Sequence, residues 1–410
     1  MKICFPWFFF MFVLLTGEHS LAHIQLGKDT LQTIHKKRTR SKLSVKNDSL
    51  VSLLGTSTEK AFHNNDSKQF SEKFDLPYFI NRATDLEYED PAIASFKKGY
   101  VQSMKTIVKS FVEEINADLS QDSYYDFIDY YYDYDIKKYR LLFRLFSEET
   151  GLNYHDYVLT FRAGEFLVAD MYVYTTGEFL TQTLNRFYRS SLPKSFLSKL
   201  IKSQDDIDFE AFNDALKAKR NEDFQKAFTA ISRIKGALKH DKTYHYVAIE
   251  IASNLGEKVY LEALSNMVED YEDDPTMSLS CIDYYLFKEE YSKALEALDI
   301  LQEATGDSFL NYLRGNIAYN AANYELSALS YEKIIAEYEE YYNAHTSLLS
   351  AYTKMKLYQK CIPLLNTLLQ EEVYDKATLI TFVEEKDESG ENVLEPLVLS
   401  EAYQKWKKNN

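Results

Sequence analysis

The sequence predicts an all-α protein: a solenoid of helical hairpins preceded by an aromatic-rich helical region. Three observations predict it. Glycine (12) and proline (7) are scarce in 410 residues, and few turn-makers favour helices with short connections over a many-stranded sheet. Apolar residues recur at helical spacing over long stretches. A pattern of 33.5 residues on average returns five times between about 208 and 370.

The chain opens with Lys2, an apolar run from Ile3 to Leu15, and small residues in Ser20–Ala22. This is the pattern of a secretory signal peptide, cleaved near Ala22. The apolar run is shorter than a normal membrane span. The expectation is an exported protein, periplasmic or secreted, with no membrane span after signal removal. Cys4 lies in the leader, and Cys281 and Cys361 are 80 residues apart with no CxxC. That excludes a disulfide framework and a zinc or redox motif.

Residues 23–74 are rich in Ser, Thr, Asn and Lys, and Ile24–Phe74 holds ten Lys/Arg against five Asp/Glu. The segment is expected to be a flexible basic linker or tail, suited to contact with an acidic surface. The whole chain carries a net charge of −16, which argues against nucleic-acid binding.

Residues 75–207 are expected to form a helical domain. Asp90–Ile115 has an Asp-Pro start and apolar residues at helical spacing. In Asp122–Asp135 the aspartates at 122, 126, 129 and 133 fall on one helical stripe, opposite a tyrosine-rich face. The expectation is one long amphipathic helix through Phe146, with Asp133 and Lys137 as an i,i+4 pair. The sequence Gly-Glu-Phe-Leu occurs twice, at Gly164–Leu167 and Gly177–Leu180; the second follows Thr175 and Thr176, a capping context for a new helix.

From about 208 an aromatic recurs at Phe224, Tyr260, Tyr291, Tyr324 and Tyr358, at spacings of 36, 31, 33 and 34. Three residues after each stands a small one: Ala227, Ala263, Ala294, Ser327 and Cys361. Four further on is a large apolar one: Ile231, Met267, Leu298, Tyr331 and Leu365. The pattern resembles the tetratricopeptide repeat, a 34-residue helix–turn–helix unit. Residues 371–410 then read as a C-terminal capping segment.

The resemblance implies a superhelix whose concave wall is lined by the first helix of each hairpin and binds a protein or peptide. The family's concave positions fall on Phe287 in the third unit and on Phe309, Tyr312, Asn316, Tyr319 and Asn320 in the fourth. In the fifth they fall on Asn343, Ser350 and Lys354. Asn316 resembles the family's backbone-gripping asparagine, while Tyr312 replaces the basic residue of its carboxylate clamp.

No HExxH, GxSxG or Walker loop is present, and the histidines lie at no metal-ligand spacing. The expected function is therefore a non-enzymatic scaffold for a protein or peptide partner, without cofactor or metal. Two alternatives stand beside it. One is a glycan or envelope-polymer module using the Tyr/Phe/Asn surface. The other is a hydrolase built from Glu165, Asp170, Glu178 and His155.

Overall fold

In the computed structural model the described residues are 44–84, 91–117, 119, 123–147, 151–190, 204–386 and 390–409. The leader and most of the basic stretch His35–Lys46 lie outside them. The chain divides into two compact units, one ending at Cys281 and the other beginning at Ile282. The protein is predominantly helical, and helical hairpins repeat through its second half.

Two regions differ from expectation. The first is the polar segment before Phe74. Helix α1 (Val45–His63) begins on a Ser44 cap, and α2 (Ser67–Ser71) follows. Val51, Leu54, Ala61, Phe62 and Phe70 are buried, so the part of the tail from Ser44 onward is core-forming. Its few apolar residues share one helix face, which the surrounding Ser, Thr and Lys obscure in a composition reading.

The second is the tyrosine–aspartate stretch, which is a strand and not a helix. Strands β1 (Ser123–Asp133), β2 (Lys138–Ser147), β3 (Gly151–Arg162), β4 (Glu165–Val173) and the short β5 (Glu178–Phe179) form an antiparallel sheet in sequence order. Tyrosine and phenylalanine fit a pleated surface better than a helix. Their side chains alternate: Tyr139, Leu141, Phe143 and Leu145 enter the core, as do Tyr125 and Tyr157. The aspartates find arginines across the ladder. Asp126 lies opposite Arg144 and bonds to it. Asp133 faces Lys138, while Lys137 sits in the turn at φ 53°.

Helices α3 (Leu76–Ala83), α4 (Pro91–Ala117) and α5 (Leu180–Ser190) complete this layer. Val51, Phe79, Met104, Val108, Val112 and Leu184 pack with the sheet residues in one core. The first Gly-Glu-Phe-Leu starts in the β3–β4 turn, where Ala163 and Gly164 are both at positive φ, and runs on into β4. The second leads through β5 into α5.

The hairpins follow. Helices α6 (Gln204–Arg220) and α7 (Phe224–Ile231) form the first, α8 (Lys242–Ser253) and α9 (Glu257–Tyr271) the second. The third is α10 (Ser278–Phe287) with α11 (Tyr291–Thr305), the fourth α12 (Leu310–Asn320) with α13 (Tyr324–Glu337), and the fifth α14 (Tyr342–Lys354) with α15 (Tyr358–Gln370). Helices α16 (Lys376–Glu384), α17 (Glu395–Val398) and α18 (Glu401–Asn409) follow the last hairpin.

Four of the five turns have one geometry. The residue two before the second helix is left-handed: Glu222, Glu289, Ala322 and Lys356, at φ 57°, 56°, 55° and 60°. The next N–H donates to the carbonyl five residues earlier: Asp223 to Ala218 O, Glu290 to Tyr285 O, Asn323 to Ala318 O and Leu357 to Tyr352 O. This is the Schellman closure of a helix. The signature aromatic is then the first residue of the second helix.

The second hairpin departs from this. Its second helix starts at Glu257, so the starts are spaced 33, 34, 33 and 34. The uneven spacings of the sequence pattern come from Tyr260, which lies three residues after the start of its helix. Tyr260 instead occupies the small-residue position, and Leu264 takes the large apolar one with no exposure. Elsewhere Ala227, Ala294, Ser327 and Cys361 are fully buried where the helices cross. In the fourth hairpin a Cβ on Gly315 would collide with the Tyr331 ring, which fixes a close approach of α12 and α13.

Candidate partner-binding surface and a cavity between helices

The nine residues expected to bind a partner fall into three groups. Phe287, Asn320 and Lys354 are exposed and are the last residues of α10, α12 and α14. Their spacing of 33 and 34 puts them at the same place in successive hairpins. Phe287 keeps 48% of its surface open to solvent, which is unusual for a phenylalanine.

Tyr312, Asn316, Tyr319, Asn343 and Ser350 are half-buried. Tyr312 packs edge-on against Tyr341, with ring centroids 5.0 Å apart. Asn316 accepts a 2.7 Å hydrogen bond from the Tyr331 hydroxyl through Oδ1, so its amide oxygen is turned into the hairpin. Tyr319 packs on Tyr324 at 5.4 Å, and burial pushes its phenol up to about 12. Ser350 donates to Thr346 O in its own helix.

Phe309 is the exception. It is buried among Tyr312, Tyr338 and Tyr341, so it is a packing residue and not a contact for a partner. An aromatic that precedes a helix by one residue anchors the turn, and the sequence pattern alone gave it the same weight as its neighbours.

The hydrolase constellation is not assembled. Glu165 pairs with Lys73 at 3.0 Å. Asp170 is buried beside Arg82 Nε at 3.0 Å and accepts from Thr181; burial raises its pKa against the opposing pull of that arginine. Glu178 is held by both guanidinium nitrogens of Arg186 and by the Thr183 and Thr243 hydroxyls. His155 bonds through Nδ1 to the Tyr125 hydroxyl at 2.9 Å, which also meets Tyr157 at 2.5 Å. Burial drives this imidazole down to about 3. None of the three carboxylates bonds to His155 or to another of the three. Among the described residues no group of three or more His, Cys, Asp or Glu is placed to hold a metal.

A cavity of about 70 Å³ lies elsewhere, between α5, α6 and α8. Sequence reasoning missed it, because its walls come from segments separated by tens of residues. Arg186 lies over the Phe212 ring at 5.8 Å, and Lys219 pairs with Glu250 at 2.5 Å.

No protein-family model and no curated protein matches the sequence. Among solved structures, a crystal structure of MamA protein is 16% identical, with a TM-score of 0.34 over 40% of this chain and 91% of its own. A second, MamA AMB-1, is 14% identical, with a TM-score of 0.34 over 42% of this chain and 96% of its own. Likeness at that level carries no argument about function. The repeat assignment rests on the hairpins described above. Among the described residues no helix is long and apolar enough to cross a membrane, and Cys281 and Cys361 are buried free thiols.

Proposed function

We propose that the protein is a non-enzymatic scaffold that binds a protein or peptide partner on the first-helix face of its hairpins. The observation that carries this reading is the recurrent exposed row Phe287, Asn320 and Lys354. A repeated position that stays polar or aromatic and solvent-facing, above a layer of half-buried tyrosine and amide side chains, supplies stacking and hydrogen bonding to an extended chain. Because the leader reads as a signal peptide, we place this binding in an exported protein. Amino-terminal sequencing of the secreted form should begin near His23, and a form retaining Lys2 would overturn that placement.

The test of binding is a triple variant, Phe287→Ser, Asn320→Ala and Lys354→Glu, in the full chain. It should lose the proteins that co-purify with the wild type while keeping its helical circular dichroism. Retention of the same proteins at wild-type level would sink the reading. Glycan-array binding that depends on the same three residues would favour an envelope polymer as the ligand.

A further inference from the structure

An aromatic row crosses one end of the sheet. The strands pair antiparallel in sequence order, so the β1–β2 turn after Asp133 and the β3–β4 turn after Arg162 close the same end. Two strand spacings, about 10 Å, separate the turns. Ring centroids run from Tyr134 to Tyr132 at 5.0 Å, to Tyr139 at 5.1 Å, to Phe166 at 5.3 Å and to Phe161 at 4.9 Å. The middle of the row is closed, since Tyr139 and Phe166 are buried. Its two ends are open: Tyr134 keeps 50% of its surface and Phe161 57%. Ile136, in the first turn, is exposed as well. A single exposed apolar residue is ordinary, but three at two adjoining turns make a patch.

The basic stretch joins the fold at this same end. Tyr139 donates to Asp48 Oδ1 at 2.7 Å, which sets the first turn of α1 on the aromatic row. Val45, three residues earlier, is 82% exposed, and the described chain begins at Ser44. His35–Lys46 holds six Lys/Arg and no Asp or Glu. The acids of the sheet end are already matched. Glu165 pairs with Lys73 at 3.0 Å, Asp75 with Arg162 at 3.3 Å and Asp133 with Arg140 at 3.3 Å. Within the first turn Asp135 is offset by Lys137. Chain connectivity thus ties an unbalanced group of cations to a patch of exposed rings.

We infer that this end of the sheet layer docks on an anionic lipid surface, with Tyr134, Ile136 and Phe161 in the interfacial layer and the cations of residues 36–46 on the headgroups. A polybasic segment gains from each Lys or Arg held near anionic lipid, and aromatic rings favour the boundary between headgroups and hydrocarbon. Tyr134 can keep its hydroxyl among the headgroups while its ring is covered. The surface uses none of the row Phe287, Asn320 and Lys354, so it stands or falls independently of the scaffold reading.

The experiment is co-sedimentation with vesicles of phosphatidylcholine alone, or of phosphatidylcholine and phosphatidylglycerol in equal parts. The chain is used from His23 onward, which keeps every described residue and takes the apolar leader out of the comparison. It should sediment with the anionic vesicles and not with the neutral ones, and salt near 1 M, where screening acts within about 3 Å, should release it. Tyr134→Ser with Phe161→Ser, both at exposed positions, should weaken binding by roughly tenfold or more with circular dichroism unchanged. Trp406 is buried, so the emission of Phe161→Trp reports on the patch and should shift to the blue with anionic vesicles. The inference is overturned by equal binding to neutral vesicles, or by an unshifted emission of Phe161→Trp. It is also overturned if the double variant binds like the wild type, which would leave the basic segment acting alone. Capture of polyglutamate as tightly as the anionic vesicles would overturn it in favour of an acidic protein.

Discussion

The sheet layer and the hairpins after Ile282 use the same aromatic vocabulary but treat charge in opposite ways. The sheet buries it. Arg140, Arg144, Asp156, Asp170 and Glu178 are all nearly inaccessible, and each has an opposite charge beside it. The hairpin helices keep it near the surface: Arg314 meets an Asp299 that is 64% exposed, and Lys360 and Lys407 pair with exposed or half-exposed glutamates, while the buried Asp307 sits in a turn and accepts from the Phe309 N–H. Their crossings are filled by Ala294, Ser327 and Cys361. A strand carries its second face into another layer, so its aspartates must find cations there. A hairpin helix can turn every charge to water. The sheet should therefore be brittle toward charge changes and the hairpins tolerant of them.

The strongest test of that contrast is Arg140→Met. Arg140 donates from Nε to Asp156 at 2.9 Å and reaches Asp133 at 3.3 Å, and Asp156 also accepts from Tyr131. Removing the cation strands a buried carboxylate, at a cost of about 3–5 kcal/mol. Hydrogen exchange should accelerate in peptides from β2 and β3 and stay unchanged from α12 to α15. Loss of Arg314, in contrast, should cost about 1 kcal/mol or less. Equal effects of the two would break the comparison.

Acid is the next test. The His155 imidazole is held neutral by burial down to about 3, whereas an unfolded histidine titrates near 6.5. Between these values the unfolded chain binds one more proton. Stability of the sheet layer is then full above pH 6.5 and falls by about 1.4 kcal/mol per unit below it. From pH 6.5 to 5 the loss is about 2 kcal/mol. His155→Gln should flatten the dependence in that window, as read by hydrogen exchange of β1 to β3. His345, also depressed by burial, sets the background slope of the hairpins.

Much of the repeat was legible because the Schellman turn forces its period. The left-handed residue, the aromatic and the small crossing residue sit at fixed offsets in four hairpins. The second hairpin hides its phase because Tyr260 offers an aromatic three residues late. Strand β1 imitates a helix for a subtler reason. Its aspartates Asp126, Asp129 and Asp133 are spaced 3 and 4, which is a helix stripe, but a register shift between Phe127 and Asp129 changes the strand's phase at the same place. A bulge in a strand can thus imitate a helical period. The site residues divide on the same principle. Exposure at a helix end, as at Phe287 or Lys354, follows from repeat position, whereas the burial of Phe309 depends on Tyr338 and Tyr341 from the next turn.

The smallest effect sharpens the comparison most, because it tests the turn rather than the core. Ala322 is left-handed at φ 55°, a conformation that costs a residue with a Cβ about 1–2 kcal/mol. Its neighbours already supply the closure: Asn323 donates to Ala318 O and caps Leu326 N–H with its side chain. Ala322→Gly removes the strain and gives back part of the gain as unfolded-chain entropy, so it should stabilise by about 0.5–1 kcal/mol. Trp406 reports on this, since it shares a core with Tyr331 and Leu349, and its fluorescence midpoint in urea should rise. Gly256, at φ 106°, is the reverse case in the hairpin with the deviant turn, and Gly256→Ala should destabilise. A fall in the midpoint for Ala322→Gly would mean that the turn is held by its side chains, and that the four matching turns share a geometry without sharing its cause.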